Sequence, residues 1–278
     1  MTGPLLVVVV LAGVACAFAW LASLVTGDTS WVDRSWSIVP MLYVWVFAGA
    51  AHLTNARLDT MAALVTIWGV RLTFNFARKG GYRGVEDYRW AVLRARMTPW
   101  QFQLFNVGFI VLYQNALLVL ITLPAYRAYL DRSRTSFGAW DVVLSVLFLA
   151  CTLGETVADQ EQWRFQSDKR QRLERGETPS ERFVTTGLFR YSRHPNYFFE
   201  VAQWWLFFLF AAVAARSLLQ WTVLGAFLLT LLFVGSTSFT EDITRSKYPE
   251  YAEYQRRTSA VVPWFTRRPD LSGRRPLS

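Results

Sequence analysis

A chain of 278 residues that is 53% hydrophobic, 16% aromatic and only 18% charged lacks the composition of a soluble domain, which carries about 25% charged residues. Its two cysteines, Cys16 and Cys151, both fall in apolar stretches, which excludes a disulfide framework or a cysteine metal cluster. The net charge of +9 would suit nucleic acid, but its distribution follows membrane topology, so nucleic acid is not the expected partner.

The apolar residues occur in blocks near the roughly 20 residues that a helix needs to cross a bilayer. None shows the period-2 alternation of a barrel strand. In chain order the blocks predict spans at about 5–25, 36–53, 60–77, 103–123, 139–157, 197–215 and 217–239. The expected fold is therefore an all-α integral membrane protein of about seven transmembrane helices. One polytopic domain covers 1–271, and a disordered basic tail at 272–278 is attracted to anionic lipid. AGVACAFA within the first block resembles a signal-peptide cleavage region, but MTGP before it carries no basic residue and the apolar run is long for that role.

Threading seven spans places 23 of the 29 Lys and Arg residues on one side and five on the other, with Arg71 inside a span. By the positive-inside rule the N-terminus lies outside and the C-terminus in the cytoplasm. This describes a multi-pass protein of a bacterial inner membrane or the endoplasmic reticulum. The polar segment RFQSDKRQRLERGETPSER (164–182) extends the fifth helix beyond the membrane, with Gly176 and Pro179 ending it. Residues 245–258 read as a short amphipathic helix starting near Pro249, most of its tyrosines forming an interfacial belt.

Polar residues inside spans are costly and mark candidate sites. Glu155, Asp159 and Gln162 share one face of the fifth helix, and Asn196, Glu200 and Trp204 one face of the sixth. Such faces can hydrogen-bond a carboxamide, ribose hydroxyls or an adenine amine, or can pair with Arg164, Arg190 or Arg193 to tie helix ends together. The stretch GLFRYSRHPNYFFE (187–200) brings Arg190, Arg193 and His194 to the start of the sixth helix. Free N–H groups there suit a phosphate-bearing cofactor, and Arg forks suit phosphate oxygens. Toward the N-terminus, Asp33 and Trp36 precede the second span, while Arg71 and Asn75 lie one turn apart within the third. Gly80-Gly81 lacks both the Rossmann and the Walker pattern. His52, near the outer end of the second span, leaves His194 without a metal-ligating companion.

VDRSWSIVP, GVRLTFNFARKGGY…EDYRW and GLFRYSRHPNYFFE together resemble the steroid 5-alpha-reductase-like membrane proteins of the DUF1295 group, from about Val32 to Pro263. RHPNY by itself also resembles isoprenylcysteine carboxyl methyltransferases and sterol reductases. The resemblance implies seven helices enclosing NADPH from the cytoplasmic side, with a lipid enone entering from the bilayer. On it, the cofactor set is Arg71, Asn75, Lys79, Asp159, Arg182, Tyr191, Arg193, His194, Asn196, Tyr197, Glu200, Trp204 and Glu241. Asp33 stands where steroid reductases carry the glutamate that polarises the substrate carbonyl, and Trp36 and Trp68 fall on the substrate side. Three positions depart from that pattern. Trp68 replaces the catalytic tyrosine, which leaves Tyr82 or Tyr88 as proton donor. Phe199 stands where a glycine is expected before Glu200, and Glu241 where a tyrosine is.

The implied reaction delivers a hydride to the β-carbon of a polarised C=C–C=O group while an acid stabilises the enolate oxygen. Asp33 serves only if burial keeps it protonated. The alternatives are a methyltransferase using S-adenosylmethionine and a non-catalytic lipid-binding protein.

Overall fold

The computed structural model describes residues 3–179 and 181–266; the expected tail at 272–278 lies outside them. Among the described residues no β-strand forms, and the chain runs through α1 (Gly3–Thr26), α2 (Trp31–Ser35), α3 (Val39–Ala50), α4 (Ala56–Arg78), α5 (Tyr88–Arg96), α6 (Pro99–Phe105), α7 (Gln114–Leu130), α8 (Ala139–Glu174), α9 (Pro195–Ala215), α10 (Val223–Lys247) and α11 (Tyr251–Arg257). A π-helical segment, Asn106–Tyr113, joins α6 to α7, and a 3₁₀ turn, Gly187–Arg190, precedes α9.

Six of these helical stretches are long and apolar enough to cross a membrane: α1, α4, the continuous run Pro99–Leu130, α8, α9 and α10. The protein is therefore an all-α, multi-pass membrane protein. The segment expected to span at 36–53 forms α3, which has 12 residues and is only about 18 Å long. Pro40 sits in its first turn, and His52 and Leu53 take left-handed backbone angles just past its end. Apolar composition records burial here, since Tyr43, Val44, Phe47 and Ala48 lie fully inside.

Local chemistry sets several boundaries. Asn55 caps α4 by accepting the Leu58 N–H at 3.1 Å, and Thr98 and Gln101 form a reciprocal capping box at α6 with Pro99 in the first turn. As expected, α8 continues far past its apolar block to Glu174. Gly176 then adopts a φ of +77°, and the Glu177 N–H bonds back to Arg172 O at 2.9 Å.

The chain divides into two compact units. Unit 1 comprises the described residues up to Ala150 together with Ala202–Leu231. Within it α3 packs against both α4 and α7. Trp68 and Trp204, both fully buried, meet edge to face at 5.0 Å. An ion pair, Arg57–Asp141, is also completely interior. Two glycines permit close helix contact. A Cβ at Gly69 would lie 2.6 Å from Ser37 O, and one at Gly225 would fall directly on the Leu120 carbonyl. Because that obstacle at Gly225 is backbone rather than a movable side chain, Gly225→Ala is expected to destabilise the protein by about 1–3 kcal/mol. The check is thermal unfolding in detergent, with Gly235→Ala, where a Cβ meets open space, as the neutral control.

Unit 2 comprises Cys151–Val201 and the described residues from Leu232 onward. The Phe199 ring lies against Gly154, where a Cβ would stand 2.5 Å from Phe199 Cζ. The bulk of Phe199 is thus taken up by a glycine on the facing helix. Phe183 contacts Tyr251 at 4.9 Å and stacks on Tyr254 at 5.6 Å. Tyr251 is buried, and the Tyr254 hydroxyl donates to Phe189 O. Tyr251 is thus interior and Tyr254 half-buried in unit 2, in contrast to the expected interfacial belt, because the short α11 folds back onto the 187–194 turn.

Candidate functional site

In unit 1 the segments 27–38 and 80–94 are interlocked by polar contacts. Glu86 accepts the Thr29 N–H at 3.0 Å, the Thr29 hydroxyl at 2.9 Å and Arg94 Nη2 at 2.7 Å. Ser30 Oγ accepts the Asp87 N–H at 3.0 Å. Arg34 pairs with Asp28 and donates to Gly81 O at 2.9 Å. At the centre of this lock, Trp90 Nε1 donates to Asp33 Oδ2 at 2.9 Å. Burial and the nearby Asp87 carboxylate push the Asp33 carboxyl above its ordinary range, against the opposing pull of the Trp90 N–H, Arg89 and Ser30. The indole fixes one carboxyl oxygen, Oδ2, and so orients the group.

Trp90 was not anticipated as part of this site. Its one sequence signal is an indole donor in the segment EDYRW, and nothing in that segment names Asp33 as its partner. Trp36 packs on the same cluster as Trp90, with Val32 and Ala19. Tyr82 donates its hydroxyl to Arg34 O at 3.0 Å, one residue from Asp33, and Tyr88 is exposed in the first turn of α5. Trp68, expected on the substrate side, and Trp204, expected beside the cofactor, instead form the interior ring pair of unit 1. Arg71 is partly buried on α4. One turn later Asn75 is buried and accepts Arg78 Nε at 2.9 Å, and Lys79 is exposed at the end of the helix.

In unit 2 the Phe199–Gly154 contact joins α8 and α9 at positions one residue from Glu155 and Glu200. Glu155, Asp159 and Glu200 are buried and Asn196 is partly so. Glu161 reaches under Gly187, whose φ is +61°, and accepts the Leu188 N–H at 2.9 Å. A side chain at Gly187 would collide with that carboxylate, which explains the glycine that opens the 187–200 stretch.

The Arg193 fork is occupied within the protein. Its Nε and Nη2 hold Glu241 at 2.6 and 2.9 Å, and Nη1 donates to Gln255 O at 3.0 Å and to Thr258 O. His194 Nε2 lies 3.0 Å from Glu241 Oε1, and Gln255 Nε2 donates to Glu241 Oε2 at 2.8 Å. Arg193 and Glu241, both expected beside the cofactor, therefore bind each other. The His194 ring stacks on Tyr197 at 5.1 Å, and the His194 N–H is taken by Ala260 O at 3.0 Å. Arg182 and Tyr191 are exposed. Their carbonyls accept Lys169 Nζ at 2.8 Å and the Trp264 N–H at 2.9 Å.

These features define a multi-pass helical membrane protein with an acid locked within one unit and a buried carboxyl-rich helix pair in the other. The chain belongs to the family described as "Protein of unknown function (DUF1295)", whose model matches residues 19–258. It is 38% identical over 277 aligned residues to the uncharacterized protein C594.04c of Schizosaccharomyces pombe (strain 972 / ATCC 24843), covering 94% of this chain and 80% of that protein. No solved structure matches it.

Proposed function

We propose that the protein is a membrane-embedded, NADPH-dependent reductase of the C=C bond of a hydrophobic enone, steroid-like or another lipid. The observation that carries this reading is Asp33, a carboxyl held toward its protonated form by burial and by Asp87 while Trp90 orients it. An acid held in a fixed pose and shifted toward its protonated form is the group that enone reduction requires. The residues of unit 2 fit the cofactor. Asp159, Glu200 and Asn196 offer acceptors for ribose hydroxyls and carboxamide N–H groups, and the exposed Arg182 and Arg190 offer guanidinium groups to phosphate.

When bound, NADPH would supply the hydride. Asp33 holds its proton toward the enone oxygen and stabilises the enolate as charge develops there. Glu86, Arg94 and Ser30 keep the acid in register by locking its two segments together. In this reading the cofactor-binding residues lie on the cytoplasmic side, where soluble cofactor is available.

One observation favours a second reading, an S-adenosylmethionine-dependent methyltransferase. The Arg193 fork is spent on Glu241, so the 187–200 turn is a weaker phosphate clamp than its sequence suggests, and S-adenosylmethionine is far less anionic than NADPH. Titrating the purified protein in detergent with each compound separates the two. Saturable NADPH binding that is lost in Asn196→Ala and Glu200→Ala is the expected result. Binding of the methyl donor alone overturns the reductase, and binding of neither leaves a lipid-binding protein.

A further inference from the structure

Within unit 2 a pocket of about 320 Å³ lies between α11 and the chain that follows it, lined by Arg193, Arg256, Arg257, Ser259, Trp264 and Phe265 among others. We infer that this pocket seats the phosphate headgroup of an anionic phospholipid, with the two aromatic rings entering the surrounding membrane interface.

Three features point to that occupant. First, Trp264 and Phe265 are 70% and 80% exposed, and Val262 beside them is exposed as well. Such a cluster on a membrane protein belongs at the headgroup level, where amphipathic aromatic rings concentrate.

Second, the exposure is built rather than incidental, because the loop that carries the rings is pinned along its length. Arg193 N–H donates to Ser259 O at 2.8 Å, and Ser192 Oγ donates to Val261 O at 2.7 Å. The Trp264 N–H bonds to Tyr191 O at 2.9 Å, and Thr266 Oγ1 donates to Arg190 O at 2.6 Å. A loop tied at four points could have turned its rings inward against unit 2, yet it holds them out.

Third, the charge is complementary and only partly satisfied. Arg256 and Arg257 share one exposed carboxylate, Glu253, with Arg256 Nε 3.1 Å and Arg257 Nε 2.5 Å from its oxygens. Two guanidinium groups on one carboxylate retain net positive charge and donors for a phosphate. The pocket also follows closely on α10, which ends at Lys247 and is long and apolar enough to cross a membrane. A soluble phosphate would meet the same arginines, but it would leave the exposed rings without a role.

The inference stands apart from the reductase reading, since Arg256, Arg257, Glu253, Trp264 and Phe265 have no part in that site. The test uses full-length protein in nanodiscs of mixed phosphatidylglycerol and phosphatidylcholine, with retained lipid counted by native mass spectrometry. Wild type is expected to enrich phosphatidylglycerol several-fold. Arg257→Gln is expected to lower that enrichment by about fivefold, the effect of one charge near a membrane surface. Glu253→Gln, which removes the competing carboxylate, is expected to raise it by a similar factor, a gain that misfolding cannot produce. Trp264→Ala/Phe265→Ala is expected to lower retention of both lipids. Equal enrichment in wild type, Arg257→Gln and Glu253→Gln overturns the proposal. So does full displacement of the lipid by millimolar inorganic phosphate or by NADPH, which would assign the pocket to a soluble anion.

Discussion

Under the proposed reductase function, Asp33→Asn is expected to lower enone turnover by about 10²–10⁴-fold, the usual contribution of a positioned general acid, while NADPH binding stays intact. Asparagine keeps the shape of the carboxyl and still accepts the Trp90 N–H through its amide oxygen, so the lock between segments 27–38 and 80–94 is retained. What it lacks is a transferable proton. The pH profile gives the sign. Burial and Asp87 raise the Asp33 carboxyl above its ordinary value, so the acid form persists to higher pH and activity falls as pH rises through the raised value.

Two neighbours should move that descending limb in opposite directions. Trp90→Phe removes a donor that favours the ionised form and shifts the limb to higher pH. Asp87→Asn removes the like charge and shifts it lower, with asparagine still able to cap α5. General loosening of the site would move both variants the same way. A limb that persists unchanged in Asp33→Asn would rule Asp33 out as the acid.

Those elements were legible to different depths in the sequence. The extension of α8 and its stop could be read locally, because a basic helical run followed by Gly176 and Pro179 carries its own end signal. The shortness of α3 could not. Tyr43, Val44 and Phe47 are as apolar as lipid-facing residues, and only neighbouring helices distinguish buried from membrane-exposed. The π-helical Asn106–Tyr113 changes the hydrogen-bond spacing without changing composition, so no residue pattern announces it.

Within the candidate site, Asp33 was readable as an acid before a span, whereas its indole partner lies 57 positions away. Phe199 looked like an obstruction where a glycine was expected. The compensating Gly154 sits on a different helix, and nothing in a single sequence pairs those two positions. The guanidinium fork of Arg193 suits a phosphate by residue type, and Glu241 falls in the cofactor set by the resemblance. Their mutual bond depends on α11 and the following loop folding back onto the 187–194 turn, a tertiary event that helical periodicity does not record.

The largest expected effect on stability lies at the Arg57–Asp141 pair of unit 1. Arg57→Met is expected to cost about 3–5 kcal/mol, seen as a fall in Tm on the order of 10 °C in detergent. The side chains are 2% and 1% exposed, with Arg57 Nε 2.6 Å from Asp141 Oδ1. Arg57 stands in the first turn of α4, where the helix dipole opposes a cation, and Asp141 in the first turn of α8, where it favours an anion. Arg57 is therefore held by its partners: Asp141 Oδ2 at 2.9 Å, Thr135 Oγ1 at 2.7 Å and Ser136 O at 2.9 Å. Removing the guanidinium strands a buried carboxylate that keeps the Gly138 N–H at 2.9 Å on Oδ2. Arg57→Met/Asp141→Leu removes both charges and should recover much of the loss, since an apolar pair of similar volume often matches a buried ion pair. Recovery should stop short of wild type because Ser136 O and the Gly138 N–H lose their partners. If the double variant is no more stable than Arg57→Met, the stranded charge is not the source of the cost, and lost packing at the start of α4 is.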